Sequence, residues 1–393
     1  MKNNFNATAE LEIQDWLLER IQRTNFMLTD FMSVTLYAHP SASAAFQVTK
    51  EDLDHSRNNE QSLSILMNKP FLVLVPSLTK PDDWRCLVEN KVRTAAVSAL
   101  QGSMPAMGPV TRTHLFHHNR QYFQLLKDVL AMNVLAAPIL GISIELADYL
   151  RATSIEKLEM AVHDIEFPLF RWRFSARRFW HDFTAGWISD ESAAHYLMQS
   201  SPMRSGSLPF KNVWTSLRLK RSQNDAFAYA MMSQGCRASI AAELFNIAPT
   251  TTRTMYREIH GVSSPCGCLP TSLTWYVENP VNRVQATTYT WLYRCALAAG
   301  ANIPEALIAA NDIAHKLFGK KLRINPNRAT HLTSVMAVDR RLTVLPCRTC
   351  DTQYVLSSSD LKIEFPNTFS CPVCTQSINP RDTDSKRKRK NLA

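Results

Sequence analysis

The sequence predicts a mainly α chain. Two tandem helical units with short β segments come first, and a further helical unit with a helix-turn-helix follows, closed by a four-cysteine zinc ribbon or knuckle module. Three observations carry this prediction. Apolar residues recur at helical spacing through most of the 393 residues, of which only 10 are glycine and 20 proline. An ordered set of signals between about 46 and 72 returns some 94–96 residues later. Four of the nine cysteines, Cys347, Cys350, Cys371 and Cys374, form a spaced quartet near the end.

Residues 11–37 read as the first helix, with Leu11, Trp16, Leu17, Ile21, Phe26 and Phe31 on its apolar face. A second helical stretch follows near 50–68, and then the β-like run Phe71-Leu-Val-Leu-Val75. A long apolar helix spans about 119–136, a turn sits at Pro138 and a helix starts after Ser143. Another helix runs from Ser154 to about His163, before the extended stretch from Phe167 to Phe174. Phe46-Gln-Val-Thr49 parallels Leu140-Gly-Ile-Ser143, with Thr49 and Ser143 each placed to cap a helix N-terminus. Two helical segments can look alike by chance. The shared order helix, turn, cap, helix, strand favours a divergent tandem duplication, a homodimer written into one chain.

These units are placed at 1–100 and 110–200, with the turn-rich Gln101–Pro109 between them and a second linker around 200–209. His114, His117 and His118 cluster after the first linker but lack a cysteine or carboxylate at ligand spacing. A differently patterned helical unit covers 205–345, with helices near 224–233, 238–246, 250–260, 283–300 and 304–318. The cysteine module is placed at 346–380 and a basic disordered tail at 381–393.

In the quartet, Cys347-Arg-Thr-Cys350 and Cys371-Pro-Val-Cys374 give C-x2-C-x20-C-x2-C. Thiolates two residues apart reach one ion, and two such knuckles supply four soft ligands in tetrahedral geometry, the arrangement of one structural Zn2+ per chain. Four cysteines leave no open position for a catalytic water. An iron–sulfur cluster and a redox dithiol are the other readings of four thiols. The β-like runs Tyr354-Val-Leu and Leu361-Lys-Ile-Glu-Phe lie between the knuckles. Cys266 and Cys268 are too close together for a standard knuckle and read as loop cysteines.

The helix-turn-helix candidate joins Arg237–Phe245 to Thr250–Ile259 through Asn246-Ile-Ala-Pro249. Its second helix is expected to begin on capping threonines and to present Thr250, Thr251, Arg253, Thr254 and Arg257 to a major groove, with Met255 and Ile259 turned to the core. Many helix pairs without nucleic-acid function share this pattern. Charge supports a polyanionic partner. The chain carries +10 net, and residues 316–393 hold 15 basic against 6 acidic side chains, whereas residues 1–160 are near neutral. Arg340, Arg341 and Arg348 lie beside the quartet, and Lys386, Arg387, Lys388, Arg389 and Lys390 form a terminal run. That run is either a solvated tail or a source of salt-dependent phosphate affinity.

The first residues lack the apolar stretch of a signal peptide. The strongest apolar passage, Val129–Ile144, is interrupted by Asn133 and Pro138 and is shorter than the roughly 20 residues of a membrane span. The odd cysteine count argues for a reducing cytoplasm. No G-x-S-x-G, H-E-x-x-H, Walker or dinucleotide motif occurs, so no enzyme is expected. Ser154-Ile-Glu-Lys157 fits only the S-x-x-K spacing, and Asp82-Asp83 reads as a loop or cap.

From about 220 to 380 the chain resembles FlhC, the DNA-binding, zinc-containing subunit of the bacterial flagellar master activator. The resemblance rests on Met255-Tyr-Arg-Glu-Ile-His-Gly261, Pro265-Cys-Gly-Cys-Leu-Pro270, Ser272, Trp275-Tyr276 and the cysteine quartet, although the first knuckle lacks an additional cysteine found in the family. Residues 120–180 resemble its partner FlhD through Tyr122-Phe-Gln-Leu-Leu, Leu140-Gly-Ile-Ser143, Leu158-Glu-Met-Ala161 and Phe170-Arg-Trp-Arg-Phe174. The first copy is identified partly through its likeness to the second, and the intersubunit cysteine of FlhD is not evident in either.

The resemblance implies two tandem FlhD-like units and one FlhC-like unit, half of a complex that holds two FlhD dimers and two FlhC subunits. A homodimer of the chain would recreate the four-plus-two assembly. It further implies zinc on the four cysteines, sequence-specific binding to double-stranded promoter DNA, and contact with RNA polymerase that raises transcription. Such a protein would be cytoplasmic and bacterial, nucleoid-associated when bound, without a membrane partner. Its targets would be flagellar genes or those of mobile elements and conjugative transfer. The alternative is a non-enzymatic interaction scaffold with a structural zinc site and only non-specific nucleic-acid affinity.

Overall fold

The computed structural model describes residues 9–57, 59–163, 165–208, 221–267, 272–338, 341–359 and 362–378. Two compact units emerge. One comprises the described residues of 14–132 and 136–203, and the other comprises residues 9–13, 133–135 and the described residues from Arg204 onward.

The first of these, the repeat unit, is helical around a two-stranded sheet. Its first half runs α1 (Asp15–Ala38), α2 (Ser43–Phe46), α3 (Lys50–Arg57), α4 (Glu60–Met67), β1 (Leu74–Pro76), α5 (Pro81–Val88) and α6 (Ala95–Ser103). The second half runs α7 (Pro109–Met132), α8 (Ala136–Leu140), α9 (Ile144–Ala152), α10 (Ile155–His163), β2 (Phe170–Trp172), α11 (Arg177–Thr184) and α12 (Asp190–Ser200). The order is the same in both halves, and so is the chemistry that holds it. Thr49 Oγ1 accepts the Asp52 amide at 3.2 Å, and Ser143 Oγ accepts the Leu146 amide at 3.3 Å. Buried Asn25 donates to the Phe71 carbonyl at 2.9 Å and accepts the Val73 amide at 3.0 Å. Buried Asn119 does the same with Phe167 and Leu169, both at 2.9 Å. Left-handed backbone recurs at Gln47 and Gly141, and again at Asn90 and Gly186.

The two halves are intertwined. β1 and β2 pair antiparallel with Leu74 opposite Trp172, Val75 opposite Arg171 and Pro76 opposite Phe170, so a local two-fold passes between Val75 and Arg171. α5 packs against α9 and α10 of the other half, and α11 packs against α3. Trp84 and Trp172 are fully buried. The symmetry breaks at Gly141, where a Cβ would lie 2.6 Å from Val75 Cγ1 and 3.0 Å from the Arg173 guanidinium carbon. Arg173, fully enclosed, donates to the carbonyls of Leu72 and Pro138 at 3.1 and 3.3 Å and to Ser200 Oγ at 3.0 Å.

Several elements differ from the sequence expectation. The helix expected over 50–68 is two, because Asn59 accepts the Ser62 amide and starts α4 afresh. The helix expected over 119–136 begins at Pro109, a residue suited to a first turn, and ends at Met132. Leu11 precedes α1, and Trp16 and Phe26, expected on its apolar face, are 48% and 44% exposed.

The C-terminal unit contains α13 (Arg221–Ser233), α14 (Ala238–Phe245), α15 (Pro249–His260), α16 (Trp275–Glu278), α17 (Pro280–Ala298), α18 (Ile303–Phe318) and α19 (Pro326–Val338). A small sheet follows, β3 (Leu342–Pro346), β4 (Gln353–Ser359) and β5 (Lys362–Ile363), in the order β3-β4-β5. Its core is α17 packed on α18. Asn279 caps α17, and an Asn302–Glu305 capping box starts α18. Residues 9–13 join this unit across a long sequence separation. The Ile13 amide donates to Asp312 Oδ2 at 2.9 Å, Gln234 Nε2 donates to Glu12 Oε1 at 2.9 Å, and the Val134 amide donates to the Glu10 carbonyl at 2.9 Å. No helix among the described residues is long and apolar enough to cross a membrane.

Candidate metal centre and nucleic-acid face

The cysteine module is built on a hairpin that begins ahead of the expected boundary at 346. β3 pairs antiparallel with β4 from Leu342 opposite Ser357 to Pro346 opposite Gln353, which puts Cys347 and Cys350 in the connecting turn. The turn closes through the Cys347 amide on the Thr352 carbonyl at 3.0 Å and the Asp351 amide on the Cys347 carbonyl at 2.9 Å. The second knuckle, Cys371 and Cys374, sits in turns after β5, held by the Thr375 amide on the Cys371 carbonyl at 3.0 Å. Arg348 links the knuckles, its Nε donating to Ser370 Oγ at 2.9 Å and its amide to the Phe369 carbonyl at 3.1 Å.

The four sulfur atoms converge to within 4.8 Å of one another. Cys350 Sγ and Cys371 Sγ are 3.7 Å apart. Four sulfurs at about 2.3 Å from a tetrahedral ion would stand about 3.8 Å from each other, so the spacing suits one ion. Backbone amides point at the sulfurs: Cys371 N–H at Cys347 Sγ, 3.2 Å, and Cys374 N–H at Cys371 Sγ, 3.4 Å. Cys371 and Cys347 are buried, and Cys350 and Cys374 half-buried. The Cys347 thiol is pushed down to about 5, first by the hydrogen bond from Cys371 and then by backbone amides, whereas hydrogen bonds among the crowded thiols hold Cys371 above the ordinary range. Four sulfurs this close shed all their protons only with a cation among them. The module is tied to α17 by the Arg283–Glu364 ion pair at 2.7 Å, Arg283 over the Phe369 ring, and the Val355 amide on Thr287 Oγ1 at 3.1 Å.

α13, α14 and α15 pack mutually. α14 ends on Asn246 in the left-handed conformation, with the Ile247 amide on the Ala242 carbonyl, and α15 begins three residues later. The start of α14 is capped from afar: the Arg237 amide reaches Asn327 Oδ1 at 2.8 Å and the Ala238 amide reaches Ser264 Oγ at 3.0 Å. Thr250, Thr251, Arg253, Thr254 and Arg257 all lie exposed on α15. Two expectations need correction. The threonines do not cap α15, which starts at Pro249 behind Ala248; Thr252 and Thr254 instead donate to the Pro249 and Thr250 carbonyls. The buried side of α15 is Thr252 and Tyr256, while Met255 and Ile259 are half-buried. His260 is exposed but anchored, its Nε2 lying 2.8 Å from the Met232 carbonyl, and Gly261 closes the helix at φ 70°.

Arg341 and Arg348 are exposed on the cysteine module. Arg340, Lys386, Arg387, Lys388, Arg389, Lys390 and Cys268 lie outside the described residues. Cys266 is exposed and does not join the quartet. His118, half-buried against Phe31 with ring centroids 4.3 Å apart, has its imidazole pKa lowered, first by partial burial and then by His114 and His117.

Residues 216–390 match the family described as flagellar transcriptional activator (FlhC). The match takes in α13 to α19, the sheet and all four clustered cysteines, which is less than half of the chain. The matched family is one of non-catalytic transcriptional regulators. Comparison with curated proteins gives no match.

Proposed function

We propose that the chain is a transcriptional activator that binds promoter DNA sequence-specifically and contacts RNA polymerase. The observation that carries this reading is the exposed, hydroxyl-rich and basic face of α15, with Arg253 and Arg257 one turn apart, inside the FlhC-matching region. In this reading α14 and α15 act as a helix-turn-helix, with Thr250, Thr251 and Thr254 on phosphates or base edges. Arg341 and Arg348 add phosphate contacts, as do Arg340 and the 386–390 run. The quartet holds one structural Zn2+, whose chemistry here is to cross-link two knuckles and keep the hairpin folded. The half-repeats of the first unit are FlhD-like and form a dimer within one chain. Two chains then recreate a four-plus-two assembly in the bacterial cytoplasm, acting on flagellar or mobile-element genes.

The test is a gel shift on upstream regions of neighbouring genes with excess competitor DNA, alongside R253A/R257A. Retained binding at particular fragments, lost in the double variant, supports the reading. Uniform, steeply salt-dependent binding that ignores both Arg residues overturns it in favour of a scaffold. Light scattering should give two chains per particle, and a strict monomer breaks the assembly.

A further inference from the structure

The C-terminal unit carries a second concentration of positive charge apart from α15 and the cysteine module. From Ile313 to Val338 there is no Asp or Glu, yet the run contains Lys316, Lys320, Lys321, Arg323 and Arg328. Lys316 pairs with Asp312. The others follow on the 3-10 turn Gly319–Lys321, the loop after it and the first turn of α19. Lys320, Lys321 and Arg323 are exposed, and Arg328 is half-buried.

The two guanidinium groups are held in place without being neutralised. Arg323 Nη1 donates to Asn279 Oδ1 at 3.3 Å and Asn282 Oδ1 at 3.1 Å. Arg328 lies 3.7 Å above the centre of the Trp275 ring. Their backbone is fixed as well: the Arg323 amide donates to Gln285 Oε1 at 2.7 Å, and Tyr276 Oη donates to the Arg328 carbonyl at 2.9 Å. Among the described residues no carboxylate pairs with either, although exposed Glu278 directly precedes Asn279.

Internal electrostatics explains only part of this arrangement. Lys320 and Lys321 follow the C-terminal end of α18, where the helix dipole favours cations. Arg323 lies against the first turn of α17, where the dipole disfavours a cation unless an anion joins it. The helix end is not itself the site, since the Val281 and Asn282 amides already bond to Asn279 Oδ1. Two fixed, unneutralised guanidiniums, with exposed Lys320 three residues before the first, suit a partner whose negative charges are regularly spaced and fixed.

We propose that Lys320, Arg323 and Arg328 form a second contact surface for the phosphate backbone of duplex DNA, rigidly presented by α17 and Trp275. The proposal rests on the DNA-binding reading above and adds a surface that positions the duplex without reading bases.

The experiment uses the full chain with a labelled duplex and measures affinity by anisotropy from 50 to 400 mM KCl. Each lost phosphate contact lowers the slope of log affinity against log salt by about 0.9. R323Q/R328Q should therefore lower it by about 1.8 and K320Q, on the exposed turn, by about 0.9, while R323K/R328K keeps the wild-type slope. An unchanged slope in R323Q/R328Q and K320Q, with R253A/R257A still impaired, overturns this surface and leaves the α15 reading standing. Equal loss in the Gln and Lys double variants, with a lowered melting temperature, shows a structural role and also overturns it. A wild-type chain that binds no duplex ends both.

Discussion

Replacing Cys371 with Ser tests the metal centre most directly. Cys371 is fully buried, its sulfur lies 3.7 Å from that of Cys350, and it accepts the Cys374 amide. Serine offers a harder, shorter donor in a pocket shaped by four sulfurs. Structural zinc binding in small modules is worth about 10–16 kcal/mol, so one ligand in four accounts for roughly 3 kcal/mol, or about 100-fold in metal affinity. The helical core should persist, because α17 packs on α18 through its own residues, while the module meets the helices along β4, which lies against α16 and α17. The assay is metal content by mass spectrometry after dialysis against a chelator, with thermal unfolding followed in parallel. Wild type should keep about one zinc per chain and C371S should lose it, with most helicity retained. C266S, at an exposed cysteine outside the cluster, should match wild type. Folded wild-type protein without metal, or C371S holding metal as tightly as wild type, would refute the reasoning.

Other perturbations follow from the same contacts. N25A and N119A should each cost about 2–5 kcal/mol in chemical denaturation, since each strands a buried carbonyl and a buried amide; a cost under 1 kcal/mol at either site defeats the argument. G141A should destabilise by about 2 kcal/mol or more, because a Cβ meets Val75 at 2.6 Å on backbone with φ 70°, and a neutral result means the strand yields freely. Burial raises the Asp312 pKa, with Glu12 adding to the rise and Lys316 opposing it. The folded state thus binds this proton more tightly, and the stabilisation present below the ordinary carboxylate range is lost as pH rises through the folded value. Melting of wild type minus D312N should accordingly fall from pH 4 to pH 7, and a difference that rises contradicts the assignment.

What was legible in the sequence was local. Thr49 and Ser143 could be read as caps because capping depends on the next three residues, and the quartet because knuckle chemistry depends on two-residue spacing. The offset of 94–96 residues was visible because the two stretches run through the same order of signals, which the order of elements in the structure follows. The inner face of α15 was not visible: Thr252/Tyr256 and Met255/Ile259 are adjacent stripes with the same spacing, and α13 decides between them. β3 was missed because Leu342–Pro346 is mostly half-buried and lacks a clean alternation. The docking of residues 9–13 had no local signal, since Asp312 and Gln234 lie hundreds of residues away. Lys320, Arg323 and Arg328 are spread over nine residues and form no charge run, so their only sequence signal is the absence of Asp and Glu from Ile313 to Val338.

The strand pair at the centre of the repeat unit sets Val75 against Arg171. In an assembly of two identical chains, a residue at such a point meets its own copy, so an arginine there would face an arginine. Two halves of a single chain are under no such restriction. One half can keep an aliphatic partner while the other acquires a guanidinium, and Gln47 and Gly141 can diverge in the same way. Joined halves are free to become unlike, and a surface needed once need not be made twice.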